Sequence, residues 1–226
     1  MSIADNLARV QENIARACAR SGRSVDDITL LPVTKTRSVE EIREVMAAGY
    51  TALGENRVQE LMEKYDALAG AQWHLIGHLQ TNKIKYIVDK VSLIHSVDSL
   101  HLAEQINAEA AKRGVSANVL LEVNISGEES KYGMQAGDID RILDAAEEFS
   151  NLKVKGLMTM APIWANEYEI RTVFSKLYQI YIDISTKKYN NSNMEYLSMG
   201  MSNDYEIAAE EGANVLRVGR AVFAAE

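Results

Sequence analysis

Apolar and polar positions along the chain alternate between two rhythms. Stretches with apolar residues at three- and four-residue spacing and charges between them predict amphipathic helices. They are "NLARVQENIARACAR", "SVEEIREVMAAG", "RVQELMEKYDAL", "TNKIKYIVDK", "SLHLAEQINAEAAKRG", "DIDRILDAAEEFS", "NEYEIRTVFSKLYQIYIDISTKK" and "NDYEIAAEEG". Gly49, Gly114 and Gly212 end three of them, where a helix stop is expected. After the opening helix, short β-rich runs fall between the helices and predict strands: "ITLLPVTK", "TALGEN", "QWHLIGH", "SLIHSVD", "ANVLLEVNI", "KVKGLMTM", "MEYLSMG" and "NVLRVG".

Strands alternating with helices imply right-handed βαβ units and a parallel sheet. No linker or low-complexity segment divides the 226 residues. The expected fold is therefore α/β, a (β/α)8 TIM barrel with the leading helix as an extra cap, forming one domain over residues 1–226. An open doubly wound sheet is the alternative, but it would carry a glycine-rich turn after the first strand, and "PVTKTRS" has none. Pro32 conflicts with its own strand, because it lacks the N–H that a ladder needs; a local bulge would accommodate it.

Composition narrows the function. A net charge of −8 with scattered Lys and Arg argues against a nucleic-acid partner. The single cysteine, Cys18, forbids an internal disulfide and fits the cytoplasm; it reads as a small helix-face residue. No apolar run approaches membrane-spanning length, and the N-terminus has no signal-like apolar core.

A barrel places its chemistry at the carboxyl ends of the strands. Those ends carry Lys35, Glu55 and Asn56, His78, His95 and Asp98, Asn124, Met160, Ser198 to Ser202, and Arg217 with Gly219. Gly200 marks a tight turn, and Ser202 is expected at the cap of the helix that follows, where free N–H groups attract an anion. With Gly219 and Arg217 the last two strands suggest a phosphate cup, although simple helix capping also explains Ser202. Lys35 ends an apolar run, where a partly desolvated amine reacts more readily with an aldehyde; an exposed lysine flanking a strand is the plainer reading. An amine, a cation and a phosphate cup at separate points of one mouth suit pyridoxal 5′-phosphate, which has an aldehyde, a ring nitrogen and a phosphate at separate corners.

The blocks "LLPVTKTRS", "GENRVQE", "WHLIGHLQTNK", "VNIS", "KYG", "GLMTM" and "LSMGMSNDYEIAAEEGANVLRVGRAVF" give the chain a wider likeness. Over nearly its full length it resembles the pyridoxal phosphate homeostasis protein family, single-domain relatives of the alanine racemase N-terminal barrel. The resemblance implies that Lys35 forms the internal aldimine. It implies that Ser198, Ser202 and Gly219 hold the phosphate, assisted by backbone N–H groups near Met201, and that Arg217 faces the pyridine nitrogen. Asn56, His78 and Met160 match pocket positions near the ring. Pro32 departs from the family's small residue, the closing "AVFAAE" lacks a glycine after the phenylalanine, and Arg220 stands where a small or hydroxylated residue is usual.

An arginine at the ring nitrogen cannot hand over a full proton, so the ring is a poorer electron sink. The racemase's second domain, which carries a catalytic tyrosine, is not expected to follow this barrel. Both points favour a carrier over an enzyme. Such a protein would hold pyridoxal phosphate, exchange with amino acids, release or transfer the cofactor to apo-enzymes, and act as a monomer. Two other classes remain open: a racemase or lyase using Tyr132, Tyr168 or His78 as proton carrier, and a metal-dependent barrel hydrolase using Glu55, His74, His78 and His95.

Overall fold

In the computed structural model, which describes residues 2–128 and 132–224, each β-rich run forms a strand. The order is α1 (Ile3–Ser21), β1 (Thr29–Pro32), α2 (Val39–Ala47), β2 (Ala52–Glu55), α3 (Val58–Tyr65), β3 (Gln72–Leu75), α4 (Ile84–Ile87) and β4 (Val91–Val97). It continues with α5 (Leu100–Arg113), β5 (Ala117–Glu122), α6 (Ile139–Ala146), β6 (Leu152–Met158), α7 (Glu167–Ser185), β7 (Ser192–Ser198), α8 (Tyr205–Glu210), β8 (Val215–Val218) and α9 (Arg220–Phe223).

Every strand pair is parallel, and the ladder runs β1-β8-β7-β6-β5-β4-β3-β2. A single bridge, Val33 to Gly54, closes β2 onto β1 and completes the (β/α)8 barrel. That seam resolves the Pro32 conflict without a bulge. β1 pairs with β8 in unbroken register, Pro32 opposite Val218. Thr29 donates to Asn214 just before β8 and Val33 to Val218 at its end, whereas Thr34 donates to Gly54 beyond the end of β1. Alternation therefore turns the missing donor of Pro32 toward β2, where the ladder has not yet begun.

α1 forms because its apolar residues recur on one face. Leu7, Val10, Ile14, Ala17 and Cys18 are buried, against α8 and α9 among other elements. Burying each Leu or Ile contributes roughly 1.5–3 kcal/mol. A Ser2–Asp5 capping box starts α1 and Gly22, at φ 71°, stops it. The stretch "TNKIKYIVDK" yields less helix than its spacing predicts: one 3-10 turn at Thr81–Lys83 and the single turn of α4. Three buried apolar residues, Ile84, Ile87 and Val88, give it only one contact strip before β4 begins. α9 has four residues, too few to show a period.

Two layers make up the interior. The larger lies between sheet and helices and includes Leu53, Trp73, Leu75, Val119, Leu157, Leu197 and Leu216. Inside the barrel a small apolar cluster of Leu93, Leu120 and Met158 is accompanied by buried His74, His95, Glu122, Ser198 and Arg217. Among the described residues no helix is long and apolar enough to cross a membrane.

Candidate functional site

A cavity of about 480 Å³ opens at the carboxyl ends of the strands. Its lining includes Lys35, Asn56, Met160, Met201, Ser202, Arg217 and Gly219, seven of the nine residues expected from the sequence. That volume lies within the roughly 300–1,000 Å³ of small-molecule sites.

The wall formed by β1 and β2 is held by side-chain charge. Lys64 of α3 is buried, and its Nζ donates to Glu55 Oε2 at 2.8 Å and to Thr34 O at 2.8 Å. Glu55, fully buried, also accepts from Thr34 Oγ1 at 2.9 Å and from the Asn56 N–H at 2.9 Å. Thr34 then opens the turn that carries Lys35, closed by Arg37 N–H to Thr34 O at 3.0 Å. Within it Thr36 takes φ 61°, an uncommon conformation for a β-branched residue, and its N–H donates to Glu60 Oε2 at 2.8 Å. Lys35 itself is exposed at the cavity rim. The desolvation expected for its amine is absent in this arrangement, because the strand ends at Pro32 and the lysine projects from the following turn. Gly77 supports the wall from β3's side: a Cβ there would lie 2.2 Å from Asn56 O.

The opposite wall, after β7 and β8, is held by backbone shape. Gly200 sits at φ 82°, and a Cβ on it would meet the Ala208 Cβ at 2.5 Å. Met201 N–H donates to Asp204 Oδ1 at 2.5 Å, so this donor is already engaged. Ser202 does not cap α8, contrary to expectation. Asp204 is the N-cap residue, and the Ser202 hydroxyl instead accepts from Ala221 N–H of α9 at 3.3 Å. Among the described residues the N–H groups of Ser202, Asn203 and Gly219 find no acceptor. Arg220 is exposed on this rim and donates to Asn203 Oδ1 at 3.0 Å. The result is a cluster of donors suited to an anion.

Arg217 lies between the two walls. It is buried, with one Nη donating to Ser198 Oγ at 2.6 Å and the other to Thr159 O at 2.9 Å. Burial pushes its guanidinium down to about 10, offset in part by Asp204 and Glu122. Burial also raises Asp204, and raises Glu122 to about 7. Ser198 therefore sits in the barrel interior, outside the cavity lining, tied to Arg217 and to His95 Nδ1 at 3.0 Å.

His78 also lies outside the lining. It is exposed, 3.4 Å from Asp98 and stacked on Tyr132 with ring centroids 4.2 Å apart. Tyr132 and Tyr168 are exposed and do not line the cavity. Lys131 of the "KYG" block falls outside the described residues. Among the described residues no three His, Cys, Asp or Glu side chains are grouped to hold a metal; Glu55 is committed to Lys64, and His74 to His95.

Sequence reasoning missed the loop after β6, where Ala161, Pro162, Ile163 and Ala165 line the cavity and Trp164 is 94% exposed. A Pro and a Trp at the carboxyl end of a barrel strand were the available signal. It also missed Lys64, whose role depends on contact with β2 rather than on any motif.

The model of the alanine racemase N-terminal domain matches residues 6–226. A pyridoxal phosphate homeostasis protein of Aquifex aeolicus is 43% identical over 99% of this chain and 98% of its own length. The crystal structure of a protein from Bifidobacterium adolescentis superposes with a TM-score of 0.94 at 38% identity, covering 98% of this chain and 94% of that one. The structure of PipY from Synechococcus elongatus with pyridoxal phosphate bound gives a TM-score of 0.84 at 32% identity, covering 98% of this chain and all of that one, 100%.

Proposed function

We infer the function from one premise: this chain belongs to the alanine racemase N-terminal domain family, among the pyridoxal phosphate homeostasis proteins. It binds pyridoxal 5′-phosphate in the cavity at the carboxyl ends of the strands and serves the homeostasis of that cofactor. The observation that carries this reading is an amine and a set of N–H donors, unpartnered among the described residues, on opposite walls of one cavity, with a buried guanidinium between them. When bound, the cofactor supplies an aldehyde that condenses reversibly with amines.

Each residue then has a task. Lys35 presents its amine to the aldehyde from a turn anchored by Glu55 and Lys64. The hydroxyl of Ser202 and the N–H groups of Ser202, Asn203 and Gly219 would hold the phosphate, with Met201, whose own N–H is engaged by Asp204, beside them. Arg217, whose plane is fixed by Ser198 and Thr159, would donate to the ring nitrogen. Asn56 and Met160, which line the cavity, would border the ring. His78, paired with Asp98 outside the lining, acts at the edge of the mouth.

A guanidinium donates hydrogen bonds but keeps its proton, so Arg217 does not drive carbanion chemistry. The chain therefore works as a carrier without strong catalysis of its own, one binding unit acting as a monomer in the cytoplasm. Amino acids exchange at its open mouth, and apo-enzymes that need the cofactor receive it. Adding pyridoxal 5′-phosphate followed by borohydride should fix the cofactor's mass on the Lys35 peptide, and Lys35→Ala should abolish that adduct. An adduct on another lysine with Lys35 unlabelled would overturn the reading. Single-enantiomer amino acids in deuterated water should gain no deuterium at Cα at enzyme-like rates; rapid exchange would make the protein a racemase or lyase.

A further inference from the structure

A second cavity, of about 280 Å³, opens at the other end of the barrel among residues of β3 to β7. Its lining includes His74, Asn118, Lys153, Lys155, Glu195 and Tyr196. Lys155 is paired with Glu195 at 2.8 Å, whereas the exposed Lys153 has no polar partner among the described residues. The paired charges cancel, so the cavity carries one uncompensated positive charge.

His74 connects this cavity to the barrel axis. Its Nδ1 lies 3.0 Å from His95 Nε2, His95 Nδ1 lies 3.0 Å from Ser198 Oγ, and Ser198 Oγ accepts from Arg217 at 2.6 Å. Burial holds His74 down at about 4 and His95 well below its ordinary range, so both rings are neutral at pH 7. Arg217 can only donate, and that sets the direction of the whole chain. Ser198 is fully buried, and among the described residues its oxygen has only Arg217 and His95 as partners. If His95 Nδ1 also donated to it, the hydroxyl proton would be left without an acceptor, a costly state in a dry interior. Ser198 therefore donates to His95 Nδ1, His95 Nε2–H donates to His74 Nδ1, and the remaining proton of His74 sits on Nε2. That Nε2 has no partner among the described residues, and His74 lines the cavity while being only 8% exposed.

We propose that this cavity binds a small carboxylate, paired with Lys153 and accepting from His74 Nε2–H, and that the two histidines and Ser198 transmit its presence to Arg217. Every donor in the chain points the same way, so an anion at Nε2–H polarises each bond in turn and makes Ser198 Oγ a stronger acceptor. The guanidinium is then held more tightly in its orientation toward the first cavity. The proposal depends on the cofactor assignment only for the consequence at the ring; the binding and the transmission concern the chain alone.

The test is nitrogen NMR on the cofactor-free, 15N-labelled protein titrated with acetate, with exposed His78 and His101 assigned by replacement with Gln. Before acetate, His95 should carry its proton on Nε2 and leave Nδ1 bare. Acetate should give saturable shifts at His74, His95 and the Arg217 side chain. Lys153→Ala should weaken binding about tenfold, the loss of one charge-assisted hydrogen bond. A proton on His95 Nδ1, a non-saturable response unchanged by Lys153→Ala, or saturation at His74 with Arg217 unmoved would each overturn the proposal. None of these outcomes bears on the borohydride adduct at Lys35, so the two readings fail separately.

Discussion

The two walls of the main cavity are fixed by different physics. On the β1–β2 side a buried ammonium and a buried carboxylate, Lys64 and Glu55, grip the turn that presents Lys35. On the β7–β8 side a left-handed glycine and a close helix approach shape the backbone, and N–H groups without an acceptor among the described residues face the cavity we assign to the cofactor's phosphate. In the function proposed above, the first wall holds a side chain that must find one atom of its partner. The second holds a set of donors for a charged group that several orientations satisfy. Side-chain charge pairs fix a turn firmly but leave a buried charge exposed to loss; backbone geometry tolerates side-chain change but not an added Cβ.

Removing the charge pair should have the largest effect. Lys64→Ala leaves Glu55 fully buried with only the Thr34 hydroxyl and the Asn56 N–H as donors. Breaking one partner of a buried pair costs about 4 kcal/mol. Urea denaturation should show that loss, with cofactor binding falling as the Lys35 turn loosens. A loss close to that of a surface ion pair would mean that charge does not hold this wall.

The interior behind the second wall should reveal itself through pH. Glu122 is raised from 4.5 to about 7, chiefly by burial. The folded state thus holds a proton that the unfolded state releases, and the group's contribution to stability declines as pH rises from 4.5 to 7. His74, lowered from 6.5 to about 4, acts in the opposite sense and costs stability as pH falls through that range. Each effect amounts to about 3 kcal/mol across its window, so they nearly cancel where the windows overlap. Glu122→Gln removes one of them. The variant should be more stable than the parent above pH 7 and should lose stability steadily as pH falls from 6.5 toward 4. Parallel pH profiles for the two proteins would show that Glu122 is charged when folded.

The backbone wall should fail at Gly200. An alanine there adopts φ 82° with its Cβ 2.5 Å from that of Ala208, which is fully buried. Strain and overpacking together cost about 2 kcal/mol. Binding of inorganic phosphate, followed by calorimetry, should weaken as well, because the same turn carries the Ser202 and Asn203 donors. Loss of stability with unchanged phosphate binding would separate the turn from the anion site.

The sequence made the second wall easier to read than the first. Gly200, Met201, Ser202, Arg217 and Gly219 lie in one short stretch, where spacing alone brings them to adjacent barrel loops. Lys35 was also visible, as a cation ending an apolar run. What holds Lys35 was not, because Lys64 looks like a solvent-side helix residue until α3 lies against β2. Ser198 was visible as a residue but not in its contacts, since strand alternation does not say that His95 and Arg217 meet at its hydroxyl. The eight-stranded order was legible because hydrophobic rhythm is local. The seam that accommodates Pro32 was not, because it depends on which strand pair closes the barrel last.

The smallest expected effect sharpens the contrast most. Thr36 is exposed at φ 61°, and its backbone N–H, which any residue keeps, is held by Glu60 at 2.8 Å. The left-handed conformation costs an L-residue roughly 1–2 kcal/mol, while glycine loses about 0.5–1 kcal/mol more conformational freedom on folding. Thr36→Gly should therefore leave stability unchanged or raise it by at most about 1.5 kcal/mol. Because Glu55, Lys64 and Glu60 hold the ends of the turn, its backbone path should survive, but the Lys35 amine beside the new glycine should sample more positions. The expected result is an unchanged or slightly higher urea midpoint with cofactor affinity a few-fold weaker. If Thr36→Gly instead unfolds the protein as readily as Lys64→Ala, then local backbone conformation holds both walls and the ionic anchor on the first is incidental.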